Sequence, residues 1–349
     1  MTLEKGVMMK DQFDEVMEKF LVPMDEFEGP VLDSTYFLRR DGSFVFAEGY
    51  CHPPRALWGM IIKYPLAEGH LNVFGRPYSW THREYIDGEL SIIPYDRQLE
   101  NQFKVAPELK ALQGEKPPFA RDFVKFPLSD FRGYFDGRRS LKIHREQIPW
   151  MDAAVRKTGE LLKVEEGNLG VSGSLSYGRV EDDVDLVFSG SPEENRAIVG
   201  RIRSYIKENP SARVVELGRE WPLRFYYADT LICPFFRYAR PDQIPLSQCE
   251  MIVQEPSVRF SATVSNDLHG FYLPAILGLT GIRREDGQKI PDLDLIVYHG
   301  ALRGELFRGD QVRGEADLVK VTTPEGSRPA LLVVGIEQIH KASSKLEVS

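Results

Sequence analysis

The sequence predicts a mixed fold, α+β to α/β, with a helix-and-strand core set between two strand-rich segments. Three observations carry this reading. Between residues 150 and about 235, helical periodicity alternates with short apolar runs. From about 31 to 130, short apolar pieces alternate with turn residues, which is the texture of antiparallel strands. After about 245 that strand-and-turn texture returns. A chain of 349 residues exceeds one ordinary core. We therefore divide it into a helix plus a small β-rich unit over 1–140, a core over 141–245, and a β-rich segment over 246–349 expected to form a partial barrel.

The elements follow in order. Phe13, Val16, Met17 and Phe20 recur at helical spacing, so 10–21 is an amphipathic helix, closed by Pro23. STYFLRRDGSFVFAEGY contains Asp41-Gly42 between two apolar runs, a hairpin signal. ALWGMIIKYPL, HLNVFGRPYSW and ELSIIPY continue the strand pattern. MDAAVRKTGELLKV is a helix, NLGVSG a short strand and DVDLVFSG a second strand. The next helix is well punctuated: Ser191 is its N-cap, Pro192 its first residue, Glu194 completes a capping box, and Pro210 stops it. PLRFYYADTLICPFF is strand material by its aromatic and branched content. YHGALRGELFRGDQVRGEADLVKVTTPEGSRPALLVVG suggests three or four antiparallel strands, and KASSKLEVS a frayed tail.

Composition narrows the function. The chain is 42% hydrophobic and 28% charged, which places it among globular proteins. A net charge of −8 argues against non-specific nucleic-acid binding, where affinity comes from cations neutralising phosphates. Cys51, Cys233 and Cys249 are sparse and odd in number, giving neither a disulfide framework nor a metal knuckle, so a reducing cytoplasm is expected. The first twenty residues lack the apolar run of a signal peptide, no window reaches membrane-spanning length, and no membrane partner is expected.

The chemistry concentrates in GVSGSLSYGRVEDDVDLVF, Gly170–Phe188. Residues two apart on a strand share a face, so Asp183 and Asp185 project together at the start of an apolar run. Two carboxylates this close repel unless a cation lies between them, and an all-oxygen site favours magnesium or manganese. Gly173-Ser174, just upstream, ends one strand and opens a short helix; such a bend, with its hydroxyl, seats phosphate oxygens. Arg179, inside the connecting loop, is placed by sequence proximity to touch a triphosphate.

A GS turn followed by an acidic-x-acidic strand, in the order helix, strand, turn, strand, helix, strand, resembles the nucleotidyltransferase superfamily that includes DNA polymerase beta and the poly(A) and CCA-adding enzymes. The matching residues are Gly173, Ser174, Asp183 and Asp185, and the spacer LSYGRVED is shorter than is usual there. The flanking GYCHPPRALWGMIIKYP, YSWTHREY and GELFRGDQVRGEADLVKV look like those of a group of archaeal and bacterial nucleotidyltransferase-like proteins with β-rich flanks. The resemblance implies that Asp183 and Asp185 hold metal under the triphosphate. It also implies a third carboxylate on a later strand of the same sheet, for which Asp229 is the candidate, binding metal and orienting or deprotonating the acceptor hydroxyl. The implied reaction moves a nucleoside monophosphate from a nucleoside triphosphate to an acceptor left open among RNA, protein and small molecules. The alternative is a catalytically inactive nucleotide- or RNA-binding module of the same fold; a third reading, a toxin–antitoxin partner, would require a small companion protein.

Other features carry blander readings. Asp292 and Asp294 repeat the acidic-x-acidic form without a GS turn and are expected to cap a strand. His52, before two prolines, orders a turn, and His82 and His144 lack ligand partners at metal spacing. Arg138, Arg139, Lys142 and Arg145 are expected to form a solvated basic face, with contact to an acceptor's phosphates or the nucleotide as the alternative, and Phe74, Tyr78 and Trp80 to fill a β core, with stacking on a base as the alternative.

Overall fold

The computed structural model describes residues 11–181, 183–216 and 219–342 and is a strand-rich mixture of helices and sheets. The opening helix runs Gln12–Phe20, with Asp11 as N-cap accepting from the Asp14 amide, and buries Phe13, Met17 and Phe20 as the periodicity requires. Lys10, at the start of the expected helix, lies outside the described residues, as does the expected tail beyond Ala342.

The first sheet draws its strands from residues 21–135 and is antiparallel throughout. The Asp41-Gly42 hairpin forms between Tyr36–Arg39 and Phe44–Ala47; Gly42 has a positive φ of 89°, and Asp41 accepts from the Ser43 amide. Strand Ala56–Pro65 is paired at Ala56–Gly59 with Val124–Pro127 and at Lys63–Pro65 with Arg76–Trp80. In the gap between those pairings, the Ile61 amide and carbonyl are met by a side chain, that of Gln102. Gln102 sits on a helix, Tyr95–Val105, that the strand-like texture of this segment conceals. Its fully buried positions are Gln98 and Gln102, and only Leu99, Phe103 and Val105, each partly buried, give it an apolar edge against the core. A second such helix, Gly137–Gln147, is capped by Asp136, which accepts from the Arg138 and Arg139 amides.

The central sheet has five strands in the order Leu169–Val171, Asp183–Gly190, Thr230–Tyr238, Arg219–Tyr227, Arg213–Glu216. The second and third are parallel and the other neighbours antiparallel. Helix Pro149–Leu162 and helix Pro192–Glu208 share a core with its apolar residues; the second starts with the expected Ser191–Glu194 capping box. The stretch expected as a single strand around Asp229 is instead two strands joined by a turn at Ala228-Asp229, both with positive φ (48° and 60°).

The third sheet exceeds the three or four antiparallel strands expected. Glu250–His269, Ala275–Arg284, Leu293–Val297, Gln311–Thr323 and Gly326–Val333 pair in the order first, second, third, fifth, fourth and back to the first. The ring therefore closes into a five-stranded Greek-key barrel rather than a partial one, and Ile339–Lys341 adds to its fourth strand. The third and fifth strands are parallel because the fourth crosses between them in sequence.

These three sheets do not each keep a private core. Barrel residues facing outward, among them Ile276, Ile296, Val321 and Leu332, pack with Trp58, Met60 and Phe119 of the first unit. Phe271 and Tyr272, from the barrel's first turn, enter the core of the central sheet.

Candidate functional site

The site is assembled on the central sheet. Val184 and Leu186 point into the core, fully buried, so the alternation of the strand turns Asp183 and Asp185 together to the other face, both half-buried. Strand Leu169–Val171 lies antiparallel beside them, and the bend that follows it returns to the same place: the Ser172 amide donates to the Asp185 carbonyl at 2.9 Å. Gly173 has a φ of +58°, and a Cβ on it would overlap the Asp185 carboxylate. Only glycine meets both demands. Residues Gly173–Ser176 then form the short helical turn, with Ser174 buried.

Neighbouring elements hold this bend. From helix Gly137–Gln147, the Ser140 hydroxyl donates to the Ser176 carbonyl at 2.6 Å, and His144 Nε2 meets the Leu175 carbonyl at 2.8 Å. From the first unit, the Ser34 carbonyl accepts from the Ser172 hydroxyl at 2.6 Å. Tyr177, fully buried, inserts among Phe44, Tyr36 and Phe135 of the first sheet, which anchors the short spacer.

Gly173, Ser174, Asp183 and Asp185 are thus brought together, but Asp229 is not among them. The parallel register sets Asp183 opposite Leu231 and Asp185 opposite Cys233, so the strand position beside the acids holds a thiol and not the expected Asp229. Ligand atoms of Asp183, Asp185 and Cys233 all lie within 4.8 Å of one another, and Cys233 Sγ donates to Asp183 Oδ2 at 3.7 Å. Asp229 is exposed in the two-residue turn, where a left-handed backbone favours Asp, Asn and Gly. Its placement on a strand beside the acids is corrected accordingly. The sequence signal for this turn is weak: Ala-Asp is not one of the Gly-containing pairs that mark two-residue hairpins, and only the tolerance of Asp for a left-handed backbone points to it.

The carboxyl groups of the pair are held above the usual carboxylate range. Burial, then the neighbouring Asp183, pushes the Asp185 carboxyl up to about 7. Burial and Glu181 raise Asp183, and burial beside Asp185 raises the Cys233 thiol, which therefore stays protonated at neutral pH. Arg224, on the neighbouring strand, opposes these shifts while paired with Glu216 at 2.5 Å and lying over Trp221.

Cations from the first unit approach the same acids. Lys63 is buried, donates to the Tyr177 hydroxyl, and is lowered to about 8 by burial; Glu181 and Asp185 act against that shift, while Arg179 and Arg83 add to it. Arg179 pairs with Glu181 at 3.0 Å and donates to the Asn72 carbonyl at 3.2 Å, so it bridges the spacer to the first sheet. Lys63 is an addition that sequence distance concealed.

The remaining features take structural roles. His52 Nε2 meets the Gly49 carbonyl and its Nδ1 accepts from the Trp58 amide, which orders the turn. Asp292 accepts from Thr280 and the Gly281 amide, and Asp294 pairs with Arg328. Arg138, Arg139 and Lys142 are exposed, while Arg145 ties Asp152 and Glu166. Tyr78 is core, stacked on Phe13, with Phe74 and Trp80 packed around it.

No protein-family model, curated protein or solved structure matches the chain. No helix among the described residues is long and apolar enough to cross a membrane.

Proposed function

We propose that the protein is a metal-dependent nucleotidyltransferase. The observation that carries this reading is the contact between Gly173 and Asp185, which sets a phosphate-seating bend directly against a carboxylate pair. Two carboxylates on one face suit magnesium, or manganese, which takes a few protein oxygens and fills the rest of its shell with water and substrate phosphates. The protonated Cys233 thiol is a poor ligand for such a hard ion, so Asp183 and Asp185 would hold it. When bound, the ion would neutralise charge on the triphosphate and on the leaving pyrophosphate. The bend and the Ser174 hydroxyl would orient the phosphates, and Lys63 and Arg179 would supply positive charge on the side facing the first sheet. A nucleoside monophosphate would pass to a hydroxyl of an acceptor drawn from RNA, protein or small molecules.

A second reading rests on Cys233. With a thiol beside the acids and Asp229 turned to solvent, the same site would bind a magnesium–nucleotide complex without a base for the acceptor. Calorimetric titration with magnesium and each nucleoside triphosphate tests binding; label transfer from those triphosphates to cell-extract components tests turnover. The transferase reading expects both, with Asp185→Asn and Gly173→Ala each weakening metal-dependent binding by more than about 100-fold, beyond the usual cost of losing an outer support. Binding without label transfer supports the module. Nucleotide binding indifferent to magnesium and to both substitutions would overturn the two readings together.

A further inference from the structure

The sequence sets Cys51 and Cys249 far apart, yet the fold brings their sulfurs to 2.7 Å. Cys51 lies in the loop after strand Phe44–Ala47, and Cys249 immediately precedes the barrel's first strand. Both line a cleft of about 1110 Å³ between the first unit and the barrel, with Trp58 and Phe119 on one wall and Met251 and Thr322 on the other. This cleft does not include the acid pair. Cys51 is buried and Cys249 half-exposed. The Cys51 thiol in turn donates to the Cys249 carbonyl at 3.1 Å, so the two residues are held together by more than one contact. Tyr298, its ring stacked on Phe119 at 4.5 Å and its buried hydroxyl without a hydrogen-bond partner, lies within electrostatic reach of both sulfurs.

We propose that Cys51 and Cys249 are a redox-active dithiol, oxidised by a small hydroperoxide entering this cleft to a disulfide that ties the first unit to the barrel. The two sulfurs differ in role. Cys249 Sγ donates to Cys51 Sγ, which lowers the Cys51 thiol and raises that of Cys249, so Cys51 is the attacking sulfur once its own proton leaves the Cys249 carbonyl. The Cys51 thiolate attacks one peroxide oxygen, the O–O bond breaks, and the departing oxygen takes up a proton and leaves as water or an alcohol. Cys51 is then a sulfenic acid. The Cys249 sulfur displaces its hydroxyl: the S–S bond forms, the S–O bond breaks, and hydroxide leaves as water with the Cys249 proton. Two thiols lose two electrons and one peroxide gains them. Cys233 takes no part, since it sits in the central sheet against Asp183.

The test uses the full-length chain and hydrogen peroxide, read by intact mass, peptide mapping and melting temperature. Expected are a loss of two hydrogen atoms per chain, a single crosslinked peptide joining Cys51 to Cys249, a higher melting temperature, and full reversal by dithiothreitol. Cys249→Ser should stall at a sulfenic acid on Cys51 that dimedone traps, whereas Cys51→Ser should leave Cys249 reduced under the same dose. A wild-type chain that gains oxygen without forming the crosslink, or that stays unmodified, overturns the proposal, as does Cys249 oxidised equally in the Cys51→Ser chain.

Discussion

Asp185 is where the requirements of folding and of chemistry conflict. Its carboxyl titrates at 3.8 when free and at about 7 in the folded chain, chiefly through burial and secondly through Asp183. Between those values the native state keeps a proton that the unfolded state has released, so unfolding releases protons and stability falls as pH rises across the window. In the presence of a chelator, the Asp185 contribution, read as the melting temperature of the wild type relative to Asp185→Asn, is therefore expected to decline from about pH 4 to about pH 7. Glu48, raised to about 8 mainly by burial, adds a slope of the same sign to both chains, and His52 and His82, lowered to about 4 by burial, add one of the opposite sign. On the proposed function, in which the ionised pair binds magnesium, adding the ion should restore the melting temperature above pH 7 in the wild type and not in the variant. A slope identical in both chains would remove Asp185 from this account.

Helix Tyr95–Val105 is the element that tests how a polar residue can act as a piece of sheet. Gln102 accepts from the Ile61 amide at 2.7 Å and donates to the Ile61 carbonyl and to Thr81 at 3.1 Å, replacing the strand neighbour absent there. Gln102→Ala would leave the amide of buried Ile61 unpaired, at about 1–3 kcal/mol before water relieves it, while the Ile61 carbonyl keeps the Thr81 hydroxyl. Urea unfolding should thus show a loss of that order, while Gln113→Ala, which removes bonds to Leu109 and Lys125, should cost less because one of them is within its own turn. The same contrast explains what the sequence discloses. Helix Pro192–Glu208 is legible from Ser191, Pro192 and Glu194 because its signals are local, and Asp183–Gly190 from its alternation. Helix Tyr95–Val105 is not, since its inward face is chosen by a gap in a strand some forty residues away, information no window around it contains. At the site, the Gly173–Asp185 approach was legible from spacing. Cys233, Lys63 and the Cys51–Cys249 contact depend on sheet register and on how the units pack, which local pattern does not encode.

At the scale of the whole molecule, the sharing of cores decides how the chain unfolds. Trp58, Met60, Phe119 and Phe123 from the first unit and Ile276, Ile296, Val321 and Leu332 from the barrel form one apolar cluster. Tyr50, Phe271 and Tyr272 join the central sheet's cluster from both sides. Separating the barrel would bare the outward faces of two sheets, and burial of apolar area is what holds such faces at roughly 25 cal/mol per Å². The chain should therefore melt in one cooperative transition, with calorimetric and van't Hoff enthalpies equal, in contrast to the independent transitions of modular domains. Trp58→Ala should lower the stability of the entire chain by about 3–5 kcal/mol, moving the central sheet's signal together with the first unit's. A chain ending at residue 245 should bind a hydrophobic dye and aggregate. Two resolved transitions in the wild type, with only one displaced by Trp58→Ala, would mean that the cluster is a contact between units that fold alone. The cleft dithiol would then tether two independent bodies rather than brace one.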